Sequence, residues 1–298
     1  MRLVIVTGLS GSGKSVAVRQ LEDIGYYCID NLPVQFIADV AKNLAQTQKY
    51  VAFGIDSRSD SLKDFDTQAL YQELQAQGWD VRVLFLTAST SELIQRFSET
   101  RRRHPLTIRM TTAEHEVTLA EAIQIERDLM APWTPMAHVV DTTNLQSNTL
   151  RTWIKDFARA PRTNLTLAFE SFGFKHGLPS AADLVFDVRN LPNPYYDPQL
   201  RPFTGRDQPI IDYMLKQSTV GEMIDDIEQF IEKWLPSYQA TNRHYLTIAI
   251  GCTGGQHRSV YVAETLAKRF ASRMQGIAIR HRIIGQAKAP TKGMQQTH

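Results

Sequence analysis

A run of apolar residues, RLVIVT, ends in GLSGSGKS at residues 8–15 and passes directly into the helical pattern KSVAVRQLEDIG. Strand, glycine-rich turn and helix in that order constrain this chain more than any other feature, because G-x-x-x-x-G-K-[ST] in that context is a cradle for phosphate. The glycines let successive backbone N–H groups turn inward onto phosphate oxygens, and the positive end of the following helix adds to the field. Gly8, Leu9, Ser10, Gly11, Ser12 and Gly13 therefore form the expected cofactor-binding loop. Lys14 is expected to reach the β and γ oxygens and to be the catalytic residue, and the Ser15 hydroxyl to ligate Mg²⁺. The cofactor expected from this loop is a nucleoside triphosphate with Mg²⁺.

The first half repeats that unit, with YYCID, the segment 33–44, YVAFGID, VRVLFLTA, TSELIQRFSETRRR, HVVDTT and LQSNTLRTWIKDFARA following in turn. Strands interleaved with helices argue for a parallel sheet covered on both faces. The expected fold class is α/β, with a P-loop NTPase/kinase-like domain over residues 1–157. A basic stretch containing Pro161 marks the boundary. Residues 165–285 continue the alternation more loosely and predict a smaller C-terminal α/β domain, while residues 286–298 are expected to be a disordered tail. Within the second half, Val220, Met223, Ile224, Ile227, Phe230, Ile231 and Trp234 form a helical stripe expected to face a core.

A metal-facing carboxylate is usually found at the end of a strand neighbouring the glycine turn. Asp56, closing YVAFGID, and Asp30, closing YYCID, are the candidates, and the third strand end offers Thr87 instead. Either aspartate reads equally as a turn residue or helix cap. The run from Arg101 to His104 reads as a lid over a γ-phosphate or, with equal weight, as a cationic helix end that suits the dipole.

A second glycine turn, IGCTGGQHRS, follows the strand YLTIA and precedes another helical pattern. Cys252, Thr253, Gly254, Gly255, Gln256, His257, Arg258 and Ser259 have the spacing C-x-x-G-x-x-R, in which N–H groups and a guanidinium surround an oxyanion and the helix end depresses the thiol pKa. Cys252 as a phosphatase nucleophile is one reading. A loop that only binds phosphate is the favoured one, since Gly251 stands where the phosphatases have a His and no acid announces itself as leaving-group donor. Lys175, His176, Asp187, Arg189 and Asn190 lie at predicted strand ends and would meet this turn beyond the carboxyl edge of a parallel sheet. An anion flanked by carboxylate, amide and imidazole suggests a phosphorylated polar metabolite such as a sugar phosphate. Singly, His176 and Asp187 read as well as local caps.

The 298 residues hold 33 Lys and Arg against 31 Asp and Glu, so only local clustering of charge is informative. After Ala267 there is no acid, while Lys268, Arg269, Arg273, Arg280, Arg282, Lys288 and Lys292 are all basic. Such a one-signed edge reads as a footprint for nucleic acid or as a solvated terminus. Cys28 and Cys252 are too few for a disulfide framework, which points to a reducing, cytoplasmic setting. With the opening MRLVIVTG running straight into the glycine loop, no signal peptide is expected, and no run of about 18–20 apolar residues predicts a membrane span.

Taken together, GLSGSGKS, YCIDNLP, GIDSRS, RRRHPL, FESFGFKHG, DVRNLPNP and AIGCTGGQHRSV resemble the RapZ/YvcJ family of bacterial nucleotide-binding proteins, whose proteobacterial members act as RNase adapter proteins. The resemblance runs over nearly all of the chain up to about Arg282. It implies that the N-terminal domain binds and weakly hydrolyses ATP or GTP through the loop Gly8 to Ser15, with Asp56, Ser57, Arg58 and Ser59 serving guanine nucleotide. It implies further that the C-terminal domain senses glucosamine-6-phosphate, binds small regulatory RNA and presents it to ribonuclease E, tuning glucosamine-6-phosphate synthase. A homo-oligomer is expected. Two positions depart from the RNA-binding members: GQAKAP retains only Lys288 of a dense basic cluster, and Thr87 replaces an aspartate. From another class, a P-loop small-molecule kinase would use Lys14 and the arginines 101–103 for transfer to an acceptor.

Overall fold

The computed structural model describes residues 1–58, 62, 65–110, 117–160, 165–240 and 244–284. Ser59, Lys288, Lys292 and the expected tail lie outside the described residues.

Strand β1 (Arg2–Gly8) is buried from Leu3 onward. Alternate side chains enter opposite cores, Leu3 and Ile5 on one face and Val4 and Val6 on the other. A continuous apolar run is what a strand covered on both sides requires. Around β1, the chain adds α1 (Lys14–Asp23), β2 (Tyr27–Ile29), α2 (Ile37–Leu44), β3 (Tyr50–Gly54), α3 (Thr67–Ala76) and β4 (Asp80–Thr87). It continues through α4 (Thr90–Thr100), α5 (Pro105–Met110), α6 (Leu119–Met130), β5 (Ala137–Asp141) and α7 (Ser147–Arg159). The sheet order is β2-β3-β1-β4-β5, and every strand pair is parallel. The glycine turn therefore leaves the central strand, where the carboxyl edge of an open α/β sheet forms its crevice.

Helices α1 and α7 cover one face with Ala17, Leu21, Trp153 and Phe157, while α2 and α3 cover the other with Ile37, Leu70 and Leu74. Helices α4 and α6 close over the glycine turn itself, with Leu93 and Ile123 packed on Leu9 and Ala88. Their starts are well specified. Ser89 caps α4 by accepting the Glu92 N–H, and Thr118 and Glu121 form a reciprocal capping box on α6.

The second half builds a separate parallel sheet from β6 (Thr166–Gly173), β7 (Leu184–Asp187), β8 (Tyr245–Cys252) and β9 (Ile277–His281), in the order β7-β8-β6-β9. Helices α8 (Gln208–Leu215), α9 (Ser218–Ala240) and α10 (Arg258–Ala271) share one core with it. The predicted stripe on α9 is narrower than expected. Val220, Ile224, Ile227 and Ile231 are buried, whereas Phe230 and Trp234 are 41% and 45% exposed. Residues four, seven and eleven places beyond Val220 keep to one helix face, and Phe230 and Trp234 lie at its margin, Phe230 meeting Phe186 edge-on.

The two sheets meet along β5 and α7. The Tyr245 ring lies 4.2 Å from His138, and Arg280 stands over Trp153. Arg282 donates to the carbonyls of Asp141 at 3.1 Å and Thr143 at 2.7 Å, and pairs with Glu170 of β6. The Ser180 N–H and hydroxyl both donate to the Asp141 carboxylate. Among the described residues no helix is long and apolar enough to cross a membrane.

Candidate functional site

Gly8 has a φ of 122°, and a Cβ there would strike the Leu86 carbonyl of the neighbouring strand, so only glycine can begin the turn. The turn is then closed by its own bonds. Leu9 N–H donates to Leu86 O at 3.0 Å, Ser12 N–H to Leu9 O at 3.2 Å, and Ser12 Oγ to Leu9 O at 2.6 Å. Two loop carbonyls are taken by other elements, Gly11 O accepting from Arg96 and Ser12 O from Thr142. The amides of Gly11, Gly13, Lys14 and Ser15 have no acceptor among the described residues, and α1 begins directly behind them. Such a set of N–H groups is what an anion at a helix N-terminus requires.

Lys14 Nζ donates to Gly8 O at 2.7 Å. Loss of water around it pulls its pKa below the usual lysine value, against the raising pull of Glu126 and Asp56. Ser15 is exposed. Asp56 follows β3, which lies beside β1, whereas Asp30 follows β2 one strand further out. The Asp56 carboxylate accepts from the Arg58 N–H at 2.9 Å and from Arg58 Nε at 2.6 Å. Thr87 Oγ1 accepts from Arg127 at 3.1 Å, so a guanidinium stands near the position where an aspartate was sought. Among the described residues no group of three His, Cys, Asp or Glu could hold a metal by itself. Mg²⁺ commonly takes one or two protein ligands together with phosphate oxygens; of the two expected from the sequence, Ser15 is exposed and Asp56 is paired with Arg58.

The residue that sequence reasoning missed is Glu126. It is fully buried on α6 and accepts from Ser10 N–H at 2.8 Å, Ser10 Oγ at 2.7 Å, Ser57 Oγ at 2.5 Å and His104 Nε2 at 3.0 Å. Burial pushes its pKa up, but His104, Lys14, Ser57 and Ser10 together outweigh that and hold it at about 2. The run from Arg101 to His104 is divided accordingly. Arg101, Arg102 and Arg103 are exposed past the end of α4, and His104 turns inward onto Glu126 and the Phe97 ring. A signal for Glu126 was present in the sequence: the Thr118 capping box predicts a helix in which Ala122, Ile123, Glu126 and Met130 share a face, placing an acid on an apolar stripe.

In the second sheet the parallel register sets Asp187 opposite Gly251 and Gly173 opposite Cys252, bringing three strand ends together. Lys175 N–H donates to Thr253 O, and Arg189 pairs with Asp187 at 2.7 Å while lying 4.0 Å over the Phe174 ring. His176 and Asn190 are exposed at this edge, as are Thr253 and, in part, Gly254.

Several residues expected to ring a phosphate are engaged elsewhere. Cys252 is buried, with its Sγ 3.1 Å from Ser259 Oγ and accepting the Gly255 N–H at 3.2 Å. Gln256 donates to Phe203 O, and His257 Nε2 lies 3.3 Å from Arg201 O. Arg258 Nη1 donates to Arg189 O at 2.6 Å and Leu191 O at 2.9 Å, and its Nη2 reaches Thr253 Oγ1 at 3.4 Å. The physical reason is the irregular chain from 189 to 205, whose carbonyls have no strand partners and draw donors from the turn. Burial also lowers the His257 pKa.

The expectation of a basic edge needs correction. Arg280 is buried beside Trp153, and Arg282 is held by Asp141, Thr143 and Glu170. Arg269 pairs with Asp225 and Glu228, and Arg273 with Glu228 and Glu232. The acids come from α9, distant in sequence but packed beside α10. Lys268 is exposed.

Residues 1–162 match the RapZ-like N-terminal domain and residues 165–285 the RapZ C-terminal domain. A nucleotide-binding protein of Cupriavidus taiwanensis is 54% identical over 297 residues, covering 96% of this chain and 100% of that protein. One of Ralstonia nicotianae is 54% identical over 295 residues, covering 95% of this chain and 98% of that protein. Among solved structures, a shikimate kinase of Acinetobacter baumannii in complex with shikimate covers 53% of this chain and 92% of its own, at 16% identity and a TM-score of 0.36, a likeness too slight to bear on this chain's chemistry. Both halves of the chain and its near-full-length relatives lead to one conclusion: it belongs to the RapZ family of P-loop proteins.

Proposed function

We propose that this chain is a regulatory adapter that binds ATP or GTP with Mg²⁺ at the loop from Gly8 to Ser15. The observation that carries the reading is the set of amides at Gly11, Gly13, Lys14 and Ser15 without an acceptor among the described residues, at the start of α1. Ser15 and Asp56 would hold the metal, which when bound neutralises phosphate charge. Lys14, freed from Gly8 O, would face the terminal phosphates and supports weak hydrolysis. Asp56, Ser57, Arg58 and Ser59 would contact a guanine nucleotide.

The finer part of the reading draws on family membership and on the convergence of Thr253, Gly254, Asp187, Arg189, Asn190 and His176 beside the start of α10. There the protein takes an amino-sugar phosphate, glucosamine-6-phosphate. In the same reading it acts in the cytoplasm as a homo-oligomer, binds small regulatory RNA and presents it to ribonuclease E. Of the five residues first assigned to RNA, Lys268 and Arg273 are exposed, and Arg273 is paired with Glu228 and Glu232.

Titration calorimetry of the full chain tests both sites at once. MgATP or MgGTP should bind with an affinity that Lys14→Ala weakens by about tenfold or more, the scale of one charge-assisted contact to phosphate. Glucosamine-6-phosphate should bind equally well to both proteins. No heat with either nucleotide would sink the first site, and no heat with the sugar phosphate the second. Sequencing RNA that copurifies from the native host decides the RNA assignment.

A further inference from the structure

Glu126 has no place in the reading above, yet it touches three stretches that the sequence leaves unconnected. Its Oε1 accepts from the hydroxyls of Ser10 and Ser57, and its Oε2 from Ser10 N–H and lies within hydrogen-bond distance of His104 Nε2. A carboxylate offers about four acceptor positions, so these contacts fill it. It is fully buried and so saturated, which makes it a poor ligand for a metal and a poor base for a water. What remains is the holding of other groups.

Those groups matter by where they stand. Ser10 lies two residues past Gly8 and one before the Gly11 amide, which has no acceptor among the described residues, in a loop rich in glycine and therefore costly to order. Ser57 directly follows Asp56. Helix α6 supplies a rigid base, because Ile123 is packed on Leu9 and Leu93 while Met130 enters the core beneath the sheet. A single side chain on that helix thus joins the phosphate loop to the turn that carries the metal-facing aspartate.

We propose that Glu126 is a positioning residue that holds the loop 8–15 and the Asp56–Arg58 turn in one fixed relation, so that cradle and carboxylate are assembled before any nucleotide arrives. This rests on the nucleotide reading for its purpose. Pre-ordering of this kind raises affinity by removing an entropic cost from the binding step. It acts through hydrogen-bond acceptance more than through charge. Glutamine can keep one oxygen toward Ser10 N–H and turn its amide toward the two hydroxyls, which can accept.

Hydrogen exchange on the full chain without nucleotide tests the proposal. Glu126→Ala should raise exchange about tenfold in both segments 8–15 and 55–58, leaving β6 to β9 unchanged, and Glu126→Gln should stay within about threefold of wild type. Exchange in the loop unchanged by Glu126→Ala, or loosening confined to α6, would overturn it. If the alanine variant does not fold, Ser57→Ala carries the test: exchange should rise at 55–58 alone, and no rise there is equally fatal. MgATP titration of the same proteins should then show about tenfold weaker binding for Glu126→Ala and rescue by Glu126→Gln, the ratio expected for a contact of ordinary strength. Wild type that binds no nucleotide but shows the exchange pattern would sink the nucleotide reading and leave the positioning role standing.

Discussion

An arginine with 4% of its surface exposed must find acceptors inside the protein, and Arg258 finds them in the carbonyls of Arg189 and Leu191. Its removal would leave both carbonyls without that donor. Arg258→Ala should therefore lose about 2–3 kcal/mol of stability in urea titration, and Arg258→Lys should recover only part, because an ammonium cannot reproduce the planar fork. Unchanged stability in the alanine variant would mean that water replaces the guanidinium freely. Any loss of ligand affinity in that variant has to be separated from this loss of folding. The residue type was legible in the spacing C-x-x-G-x-x-R, but the direction of its donors was not, since the acceptors lie 67 and 69 residues away.

At the scale of elements, the turn from β8 to α10 carries two adjacent glycines that the sequence cannot tell apart. Gly255 has a φ of 74°, and a Cβ there would lie 2.7 Å from both Gly173 N and Ile283 Cγ1. A Cβ on Gly254 would meet nothing within 4 Å. Gly255→Ala should accordingly cost about 2–4 kcal/mol, from left-handed backbone strain plus overpacking, while Gly254→Ala should cost less than about 1 kcal/mol. Thermal melting of the two variants side by side checks the contrast, and equal midpoints would refute it. The strand–turn–helix itself was readable from alternating apolar runs. Which glycine abuts β6 depends on how the second sheet pairs.

At the scale of the whole molecule, His138 marks how the two halves join. Its ring is buried between Phe157 and Tyr245, and neither nitrogen has a partner among the described residues. Burial, aided by the charge of Arg280, holds its pKa well below the usual histidine value. The folded state thus resists a proton that the unfolded state accepts below about pH 6.5. This stability is complete above that pH and is lost as pH falls, at up to about 1.4 kcal/mol per unit. His257 and His176, also lowered, add to the same slope. His138→Phe should flatten the dependence of the urea midpoint on pH between about 6.5 and 5, and a slope equal to wild type would count against a neutral buried ring.

Local pattern was enough to specify the glycine loop, the central strand beneath it and the α/β class, because each depends on residues near one another in the chain and on burial from both sides. Lys14, Ser15 and their loop could be named for the same reason. Glu126, His104 and the inward turn of Arg280 and Arg282 could not, since each is defined by a partner brought from another element. A charged side chain looks the same in a sequence whether it meets water or is buried against a distant donor. Only the packing of α6 over the first loop, and of α9 beside α10, decides between those two fates.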